Sequence, residues 1–336
     1  MKKSMRFRGA VFATSFALFL LGTAGTQAQE KPEKKEPPVI ALTGGTLIDG
    51  NGGAPIPDAV VFIQGTKILK AGPASAVTVP EKAERIDARG KYILPGFIDC
   101  HIHTAYPFDE SQYSTDDDAS TALRALHVMN LYLKSGVTSV RDVGSNVPSM
   151  KALVGAQALG FVDSIRPFAC GDLITTTGGH GDGLKGTMAV DGPWAWRKAI
   201  RQMVKDGFGQ IKISPPVPTE KRHWSQAMHE TLFREARQRK ILMGVGTDFV
   251  GPFMSRYPGA YFEEMKYFVE LGVSPMEAIV AATKNGVVTL GEADERGTIE
   301  AGKKADLQMI KGDPLKSFDS LGSPEIVFID GKIHRF

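Results

Sequence analysis

Short runs of apolar and β-branched residues recur through the middle of the chain, and helix-like stretches separate them. The helix-like stretches are 119–135, 194–207 and one that runs from Ser274 to a point before Gly286 or Gly291. The last of these starts with a capping box and a proline at the first helical position. The strand-like runs end near His101, Asp142, Ile174, Lys212 and Asp248. This alternation is typical of a parallel α/β layer, which we predict over residues 94–291.

Both ends of the chain show short β-type runs without helical periodicity. These runs are 60–63, 67–69, 307–310 and 326–329. Turns rich in glycine and proline separate them. Each end alone is too small for a good hydrophobic core. We therefore predict that residues 39–93 and 292–336 together form one small β-sandwich domain.

The N-terminus has the pattern of an export signal. Four basic residues precede the apolar run 11–21, and small residues before Ala28 indicate a signal-peptidase site. We predict a signal peptide over 1–28, with an uncleaved anchor as the alternative, and a disordered linker over 29–38. No later run is long enough for a membrane span. We expect a periplasmic or secreted protein with no stable membrane insertion after cleavage.

The charge balance argues against polyanionic partners. The 336 residues carry a formal net charge of +3, and loss of the four basic residues of the signal peptide would leave −1. A near-neutral protein has no electrostatic basis for binding nucleic acid or an anionic membrane. With 42% hydrophobic residues, the chain is long and apolar enough for a large core or two domains.

Two histidines end the first strand-like run of the α/β region. His101 and His103 are two residues apart, so their side chains lie on the same face of a strand. Neutral imidazoles on an apolar strand need partners. A divalent cation satisfies both, and separate hydrogen bonds are the alternative. Structural zinc needs about four ligands, so two histidines are not a site by themselves. Lys212 and Asp248, at the ends of other runs, are further candidates. From the residues alone, an ion pair of Lys212 with an acid such as Asp248 is the simpler interpretation.

These positions and their flanks resemble the amidohydrolase superfamily, in its imidazolonepropionase-like and Xaa-Pro-dipeptidase-like branch. There, H-x-H closes the first strand of a (β/α)8 TIM barrel, a carboxylated lysine ends the fourth strand and an aspartate ends the eighth. The matching flanks are 46–50, 95–99, 177–181, 246–248 and 297–307. The resemblance runs from about residue 40 to the C-terminus. It implies that His101, His103, carboxylated Lys212 and Asp248 bind metal.

The sequence departs from this superfamily between Lys212 and Asp248. Members carry two more metal histidines there, in patterns such as V-x-x-H and I-E-H-G, and neither pattern occurs. The segment 215–240 indicates a loop and one helix, so we predict an incomplete barrel that lacks strands five to seven. The resemblance then implies one divalent ion, zinc by default, where intact relatives hold two. A second ion would have to recruit another histidine: His180, His223 or His229.

The resemblance implies a metal-dependent amidohydrolase that acts on a small amide or peptide, such as a dipeptide, an N-acyl amino acid or a cyclic amide. A metal-bound hydroxide would attack the carbonyl, with Asp248 as the general base that passes a proton to the leaving nitrogen. Carbon dioxide would be needed to carboxylate Lys212. His180, in the glycine-rich loop 175–183, would bind substrate or stabilise the oxyanion, and an exposed loop histidine is the alternative.

Two alternatives to an active enzyme stay open. One is a catalytically inactive relative that binds a ligand or partner. The other is a non-functional deletion product with aggregation-prone strand edges. A homo-oligomer that completes the barrel would rescue activity. Other catalytic classes lack their motifs, since neither G-x-S-x-G nor H-E-x-x-H occurs. Arg141 and Asp142 are expected to pair with each other or to touch substrate, and Cys100 and Cys170 to be free thiols.

Overall fold

The two ends of the chain are rich in strands, and the middle alternates strands with helices. The computed structural model describes residues 36–106, 117–214, 226–250 and 256–336. In chain order, the strands are β1 Val39–Leu47, β2 Ile56–Gln64, β3 Lys67–Pro73, β4 Glu84–Asp87, β5 Lys91–Pro95, β6 Phe97–Ile102, β7 Val137–Asp142, β8 Arg166–Ala169, β9 Leu173–Thr175, β10 Thr187–Ala189, β11 Leu307–Lys311, β12 Ile326–Ile329 and β13 Lys332–Arg335. The helices are α1 Asp118–Lys134, α2 Val147–Ala158, α3 Gly192–Lys205, α4 Gln226–Gln238, α5 Gly259–Glu270, α6 Pro275–Val280 and α7 Gly286–Leu290.

One sheet contains strands from both ends of the chain. Its order is β13-β12-β11-β5-β1-β2-β3, with β4 beside β1. β5 from the first end pairs antiparallel with β11 from the second. An apolar cluster along this sheet draws residues from both ends, among them Leu42, Ile93 and Phe328. The predicted strand runs at both ends are confirmed and share one sheet. Their closure into a sandwich stays a prediction.

A second, parallel sheet carries the H-x-H run. β6, β7 and β8 lie side by side in this order, and each neighbouring pair is parallel. α1 and α2 connect these strands, as parallel crossovers require. α1 begins after Asp117, whose carboxylate accepts a hydrogen bond from the Ser120 amide and caps the helix. The predicted helices over 119–135 and 194–207 are confirmed as α1 and α3, with ends shifted by one or two residues.

The runs 210–214 and 244–248 are not regular strands, so their prediction as strands is wrong. Two isolated parallel bridges join these parts of the chain to the parallel layer: Ile213 with Ile174, and Phe249, which follows the second run, with Ile102. Glycines within or beside both runs weaken a strand ladder, because glycine has no side chain to pack. The bridges still bring the polar ends of both runs to the carboxyl edge of β6 and β9.

The helical stretch that follows Ser274 is continuous over α6, a π-helical turn at Ala281–Asn285, and α7. The Ser274 hydroxyl accepts a hydrogen bond from the Glu277 amide, and the Glu277 carboxylate accepts one from the Ser274 amide. The stretch ends at Gly291, whose φ of 77° is the left-handed conformation that glycine adopts without cost. The predicted capping box and the end before Gly291 are confirmed.

α5 holds β6 firmly against the core of the barrel region. Phe97 of β6 is fully buried, and its ring centroid lies 6.1 Å from that of Tyr261 and 5.9 Å from that of Phe262. The Tyr261 hydroxyl donates a hydrogen bond of 2.9 Å to the carbonyl of Ile98. The carboxyl end of β6 therefore rests on a packed support, which a precise functional site needs.

The N-terminal segment and part of the barrel region after Lys212 lie outside the described residues. The proposed signal peptide 1–28 and most of the linker 29–38 lie outside the described residues. Over 226–243, the chain forms α4 and no strand; the absence of barrel strands five to seven stays a prediction. In the part of the chain that is described, no helix is long and apolar enough to cross a membrane.

Candidate metal centre

Three side chains meet at the carboxyl end of β6. The Nε2 atom of His101 lies 3.1 Å from Oδ1 of Asp248, and Nε2 of His103 lies 3.2 Å from the same oxygen. One potential ligand atom from each residue lies within 4.8 Å of the other two. We call these three residues the His–His–Asp cluster. The structure thus brings together three of the four predicted metal ligands.

The turn after β7 orients His103. The Nδ1 atom of this buried ring donates a hydrogen bond of 3.2 Å to the carbonyl of Gly144, and its Nε2 atom faces Oδ1 of Asp248. Gly144 has a φ of 139°, and a Cβ there would lie 3.4 Å from the His103 ring. Glycine permits this close approach. The Tyr106 ring stacks on the His103 ring, with the two ring centroids 4.8 Å apart.

Asp248 has an uncommon backbone conformation. Its φ is 52°, and its amide donates a hydrogen bond of 2.7 Å to the carbonyl of His101. A non-glycine residue in this region costs of order 1 kcal/mol, and such costs concentrate at functional sites. Desolvation alone would raise the pKa of Asp248. Hydrogen bonds and charges from His101 and His103 outweigh it and hold that pKa well below its usual range. Asp248 is therefore an anion at neutral pH.

Lys212, the fourth predicted ligand, also reaches this cluster. Its Nζ atom lies 3.1 Å from Nε2 of His101. The bridge between Ile213 and Ile174 places the lysine at this edge. The amine therefore occupies the nitrogen that a metal would use. Metal binding by His101 therefore requires Lys212 to release that nitrogen, by moving or by losing its positive charge.

The donor set of the His–His–Asp cluster fits a divalent cation. Two imidazole nitrogens and one carboxylate oxygen are ligands of zinc and related ions. His103 is buried, His101 is half-buried and Asp248 is exposed. A cation bound here would be supported by the protein on the His103 side. It would be reached from solvent on the Asp248 side.

Asp99 lies within β6 and joins the strand of His101 to the segment that carries Asp248. Its buried Oδ1 atom accepts hydrogen bonds from the amides of His101 (3.0 Å) and Thr247 (3.2 Å). Oδ2 accepts hydrogen bonds from the hydroxyls of Thr247 (2.7 Å) and Tyr132 (3.2 Å). Burial raises the pKa of Asp99 to about 6, although these hydrogen bonds act to lower it. Because Thr247 precedes Asp248, a single carboxylate links the histidine strand to the aspartate segment.

A second acid, Glu264 of α5, supports the same segment. Its carboxylate accepts a hydrogen bond of 3.2 Å from the amide of Gly246. Burial, and then the nearby charge of Asp99, raise the pKa of Glu264 from 4.5 to about 7. Between pH 4.5 and about pH 7, Glu264 holds its proton in the folded chain and has released it in the unfolded chain. The contribution of Glu264 to the free energy of unfolding is therefore present below pH 4.5 and is lost as the pH rises through about 7.

We expect Glu264→Gln to remove this pH dependence. Denaturant unfolding over a pH series should show a free energy of unfolding that falls more steeply with pH in the wild type than in the variant, because glutamine does not titrate. Glu270→Gln is the matched control, since Glu270 lies exposed on the same helix. Equal pH slopes in the wild type and in Glu264→Gln would contradict the raised pKa.

Among the described residues, neither His180 nor His229 is part of the His–His–Asp cluster. His180 is exposed in the loop after β9, and His229 is exposed on α4. His223 lies outside the described residues. A role for His180 toward substrate stays a prediction.

Arg141 and Asp142, at the end of β7, have different partners, so of their two expected roles the pairing with each other is wrong and contact with substrate stays a prediction. Asp142 is buried and accepts hydrogen bonds from the Thr104 amide (2.9 Å) and from the hydroxyls of Thr104 and Ser145. Arg141 donates from Nε to the carbonyl of Cys100 at 2.5 Å. Neighbouring residues of a strand point to opposite faces, which separates the two side chains. Both cysteines are buried free thiols, as predicted.

Sequence reasoning missed the roles of Asp99, Glu264 and Tyr106. An acid inside an apolar strand was the available signal for Asp99, because a buried carboxylate needs hydrogen-bond donors around it. Glu264 lies on an amphipathic helix among other acids, and Tyr106 follows the strand in a polar stretch. Neither position differs from an exposed residue in its local pattern.

The chain belongs to the amidohydrolase family, whose sequence pattern matches residues 92–214 and 226–334. The matched residues include the whole His–His–Asp cluster and Lys212. The resemblance drawn from the sequence motifs is thus confirmed. Members of this family typically depend on a metal ion, and the cluster is a His/Asp site where such an ion fits.

Curated relatives match over different lengths. An adenine deaminase of Rubrobacter xylanophilus is 23% identical over 333 residues, which cover 82% of this chain and 55% of that protein. An imidazolonepropionase of Caulobacter vibrioides is 43% identical over 67 residues, which cover 20% of this chain and 17% of that protein. The chain therefore spans about half the length of the deaminase, and less of the second relative.

Solved structures share the fold. The A. niger ochratoxinase has a TM-score of 0.75 at 18% identity, and the match covers 90% of this chain and 96% of that chain. A Xaa-Pro dipeptidase with bound methionine in its active site has a TM-score of 0.70 at 22% identity, with 89% and 100% covered. At these identities the likeness shows the fold alone. The chain has the TIM-barrel-type amidohydrolase fold predicted from its sequence.

Proposed function

We propose that this chain is a metal-dependent hydrolase that cleaves a C–N bond in a small amide, such as a dipeptide, an N-acyl amino acid or a cyclic amide. The observation that carries the proposal is the approach of two imidazole nitrogens to one oxygen of Asp248, at 3.1 and 3.2 Å. Barrel enzymes have their active sites at this end of the strands. The names adenine deaminase, imidazolonepropionase and Xaa-Pro dipeptidase support C–N bond chemistry.

His101, His103 and Asp248 would hold the cation, and Lys212 carboxylated by carbon dioxide would add an anionic oxygen. Zinc suits this combination of nitrogen and oxygen donors. The 3.1 Å approach of the Lys212 amine to His101 supports carboxylation, because a carbamate no longer competes as a cation for that nitrogen. When bound, zinc would lower the pKa of a water toward about 7 and polarise the substrate carbonyl.

The side chains of the cluster would then hold and move the protons. Asp248 is exposed and ionised at neutral pH, so it would accept a proton and return it to the leaving nitrogen. The hydrogen bond from Nδ1 of His103 to Gly144 keeps the ring in the tautomer whose Nε2 atom is a ligand. His180, in its exposed glycine-rich loop, is proposed to contact the substrate.

Hydrolysis of an amide panel by the full chain tests this function. We expect the zinc-loaded protein to release amine from a dipeptide, an N-acetyl amino acid or a cyclic amide. Chelation should abolish the release and added zinc should restore it, because the metal supplies both the acidic water and the carbonyl activation. His101→Ala should be inactive. His229→Ala is the matched control, since His229 lies exposed on α4. A folded, zinc-binding chain that releases nothing would favour the inactive, ligand-binding relative.

A further inference from the structure

A cleft of about 680 Å³ opens beside the metal centre, between the edge of the parallel layer and α7. This volume is that of an ordinary small-molecule site. The cleft shares His101 and Lys212 with the metal centre. Ile213, Val288 and Leu290 supply an apolar wall. Among the described residues that line it, none is an aspartate or a glutamate.

Arg141 is the cation fixed in this cleft. It lies one residue before the end of β7, the strand next to β6, and its Nε atom donates a hydrogen bond of 2.5 Å to the carbonyl of Cys100. This bond holds the guanidinium in place and leaves its remaining N–H groups to the cleft that the side chain lines.

The described part of the chain places no carboxylate at ion-pair distance from half-buried Arg141. Two other enclosed arginines differ. Arg166 contacts Asp306 and Asp330, and Arg296 contacts Glu292 and Asp306. A guanidinium taken partly out of water gains most from a planar anion that accepts two parallel hydrogen bonds. The environment of Arg141 is therefore complementary to a carboxylate, which none of the described residues supplies.

Lys212 does not fill the same role, although it lines the same cleft. Its amine is directed at His101, 3.1 Å away, and carboxylation would turn it into an anion. Arg141 stays charged in either state, because a guanidinium does not lose its proton in proteins.

We propose that Arg141 binds a carboxylate of the substrate, so that the metal centre acts on small amides that carry a carboxylate and an apolar side chain. The carboxylate would be held by Arg141, and the apolar group would lie against Val288 and Leu290. Hydrolysis of such amides at the metal centre rests on the proposed function, whereas binding of a carboxylate by Arg141 does not.

The test is isothermal titration of the full chain with N-acetyl-L-leucine and with N-acetyl-L-leucinamide. The two probes differ only in the carboxylate. Dialysis against a chelator beforehand prevents turnover during the titration, and circular dichroism confirms the fold. We expect the wild type to bind the carboxylate at least about tenfold more tightly than the amide. This preference should weaken as salt is added.

Two independent variants should abolish the preference. Arg141→Met removes the cation, and Arg141→Lys should restore part of the preference. Val288→Asp leaves Arg141 and its bond to Cys100 in place but adds an anion to the cleft, at a residue that is 43% exposed. Val288→Asn is its uncharged control. Arg201→Met is the control for loss of a positive charge, since Arg201 is exposed on α3.

Each result decides between the two claims. Equal affinity for both probes in the wild type, or a preference that survives in both Arg141→Met and Val288→Asp, would overturn the carboxylate site. A carboxylate preference that depends on Arg141 in a chain that hydrolyses no amide would support the binding site and reject the proposed reaction. Hydrolysis without any carboxylate preference would reject the binding site alone.

Discussion

Replacement of Asp248 by asparagine should reduce kcat/KM for the best amide substrate by at least about a thousandfold. The nitrogens of His101 and His103 approach one oxygen of this carboxylate at 3.1 and 3.2 Å, so the same atom is placed to share a cation with them. Asparagine keeps the shape of the side chain but removes its charge. It therefore binds a cation weakly and cannot accept the proton that is to reach the leaving nitrogen.

Steady-state kinetics of purified wild type and Asp248→Asn measures this ratio of kcat/KM values. The zinc content of each protein is measured as well. Asp294→Asn is the matched control, because Asp294 is exposed and lies outside the cluster. A loss of less than about tenfold would show that Asp248 neither binds the metal nor carries the proton.

Replacement of Asp99 by alanine should lower the free energy of unfolding by about 3 kcal/mol, because it strips four buried or partly buried donors of their acceptor. The donors are the amides of His101 and Thr247 and the hydroxyls of Thr247 and Tyr132. The same change should weaken metal binding by about tenfold to a hundredfold, since the carboxylate links the strand of His101 to the segment of Asp248.

Asp99→Asn separates this linking role from simple loss of volume. The amide oxygen can accept from both backbone amides, and the amide nitrogen can donate to the two hydroxyls, which accept as well as donate. We expect less than half the destabilisation of Asp99→Ala. Urea unfolding of metal-free protein measures stability without the contribution of bound metal, and competition with a chelator measures the metal affinity. Equal effects of the two substitutions would contradict the linking role.

Local pattern was sufficient where the determining contacts are local. The spacing of His101 and His103 on an apolar strand indicated a shared face, and β6 has that geometry. The capping box at Ser274 marked the start of α6 because its hydrogen bonds lie within four residues. The composite sheet followed from two strand-rich ends that lacked cores of their own, and β5 does pair with β11.

Features set by distant contacts were not predictable in this way. The run before Asp248 has the composition of a strand, yet the one bridge in this region is at Phe249, and Asp248 has a φ of 52°. Its position depends on hydrogen bonds to Asp99 and Glu264, which are far away in sequence. The partner of Arg141 is likewise a backbone carbonyl of the adjacent strand rather than its sequence neighbour. Only the folded sheet brings these groups together.

Metal content per chain, measured on monodisperse protein purified in bicarbonate buffer, tests the metal centre most directly. His101→Ala and Lys212→Ala are measured beside the wild type. We predict about one tightly bound zinc ion per wild-type chain, lost in both variants, because the His–His–Asp cluster and carboxylated Lys212 together provide four ligands. A folded wild-type chain that retains no metal, or zinc that persists unchanged in His101→Ala, would contradict the assignment of this cluster as the metal centre.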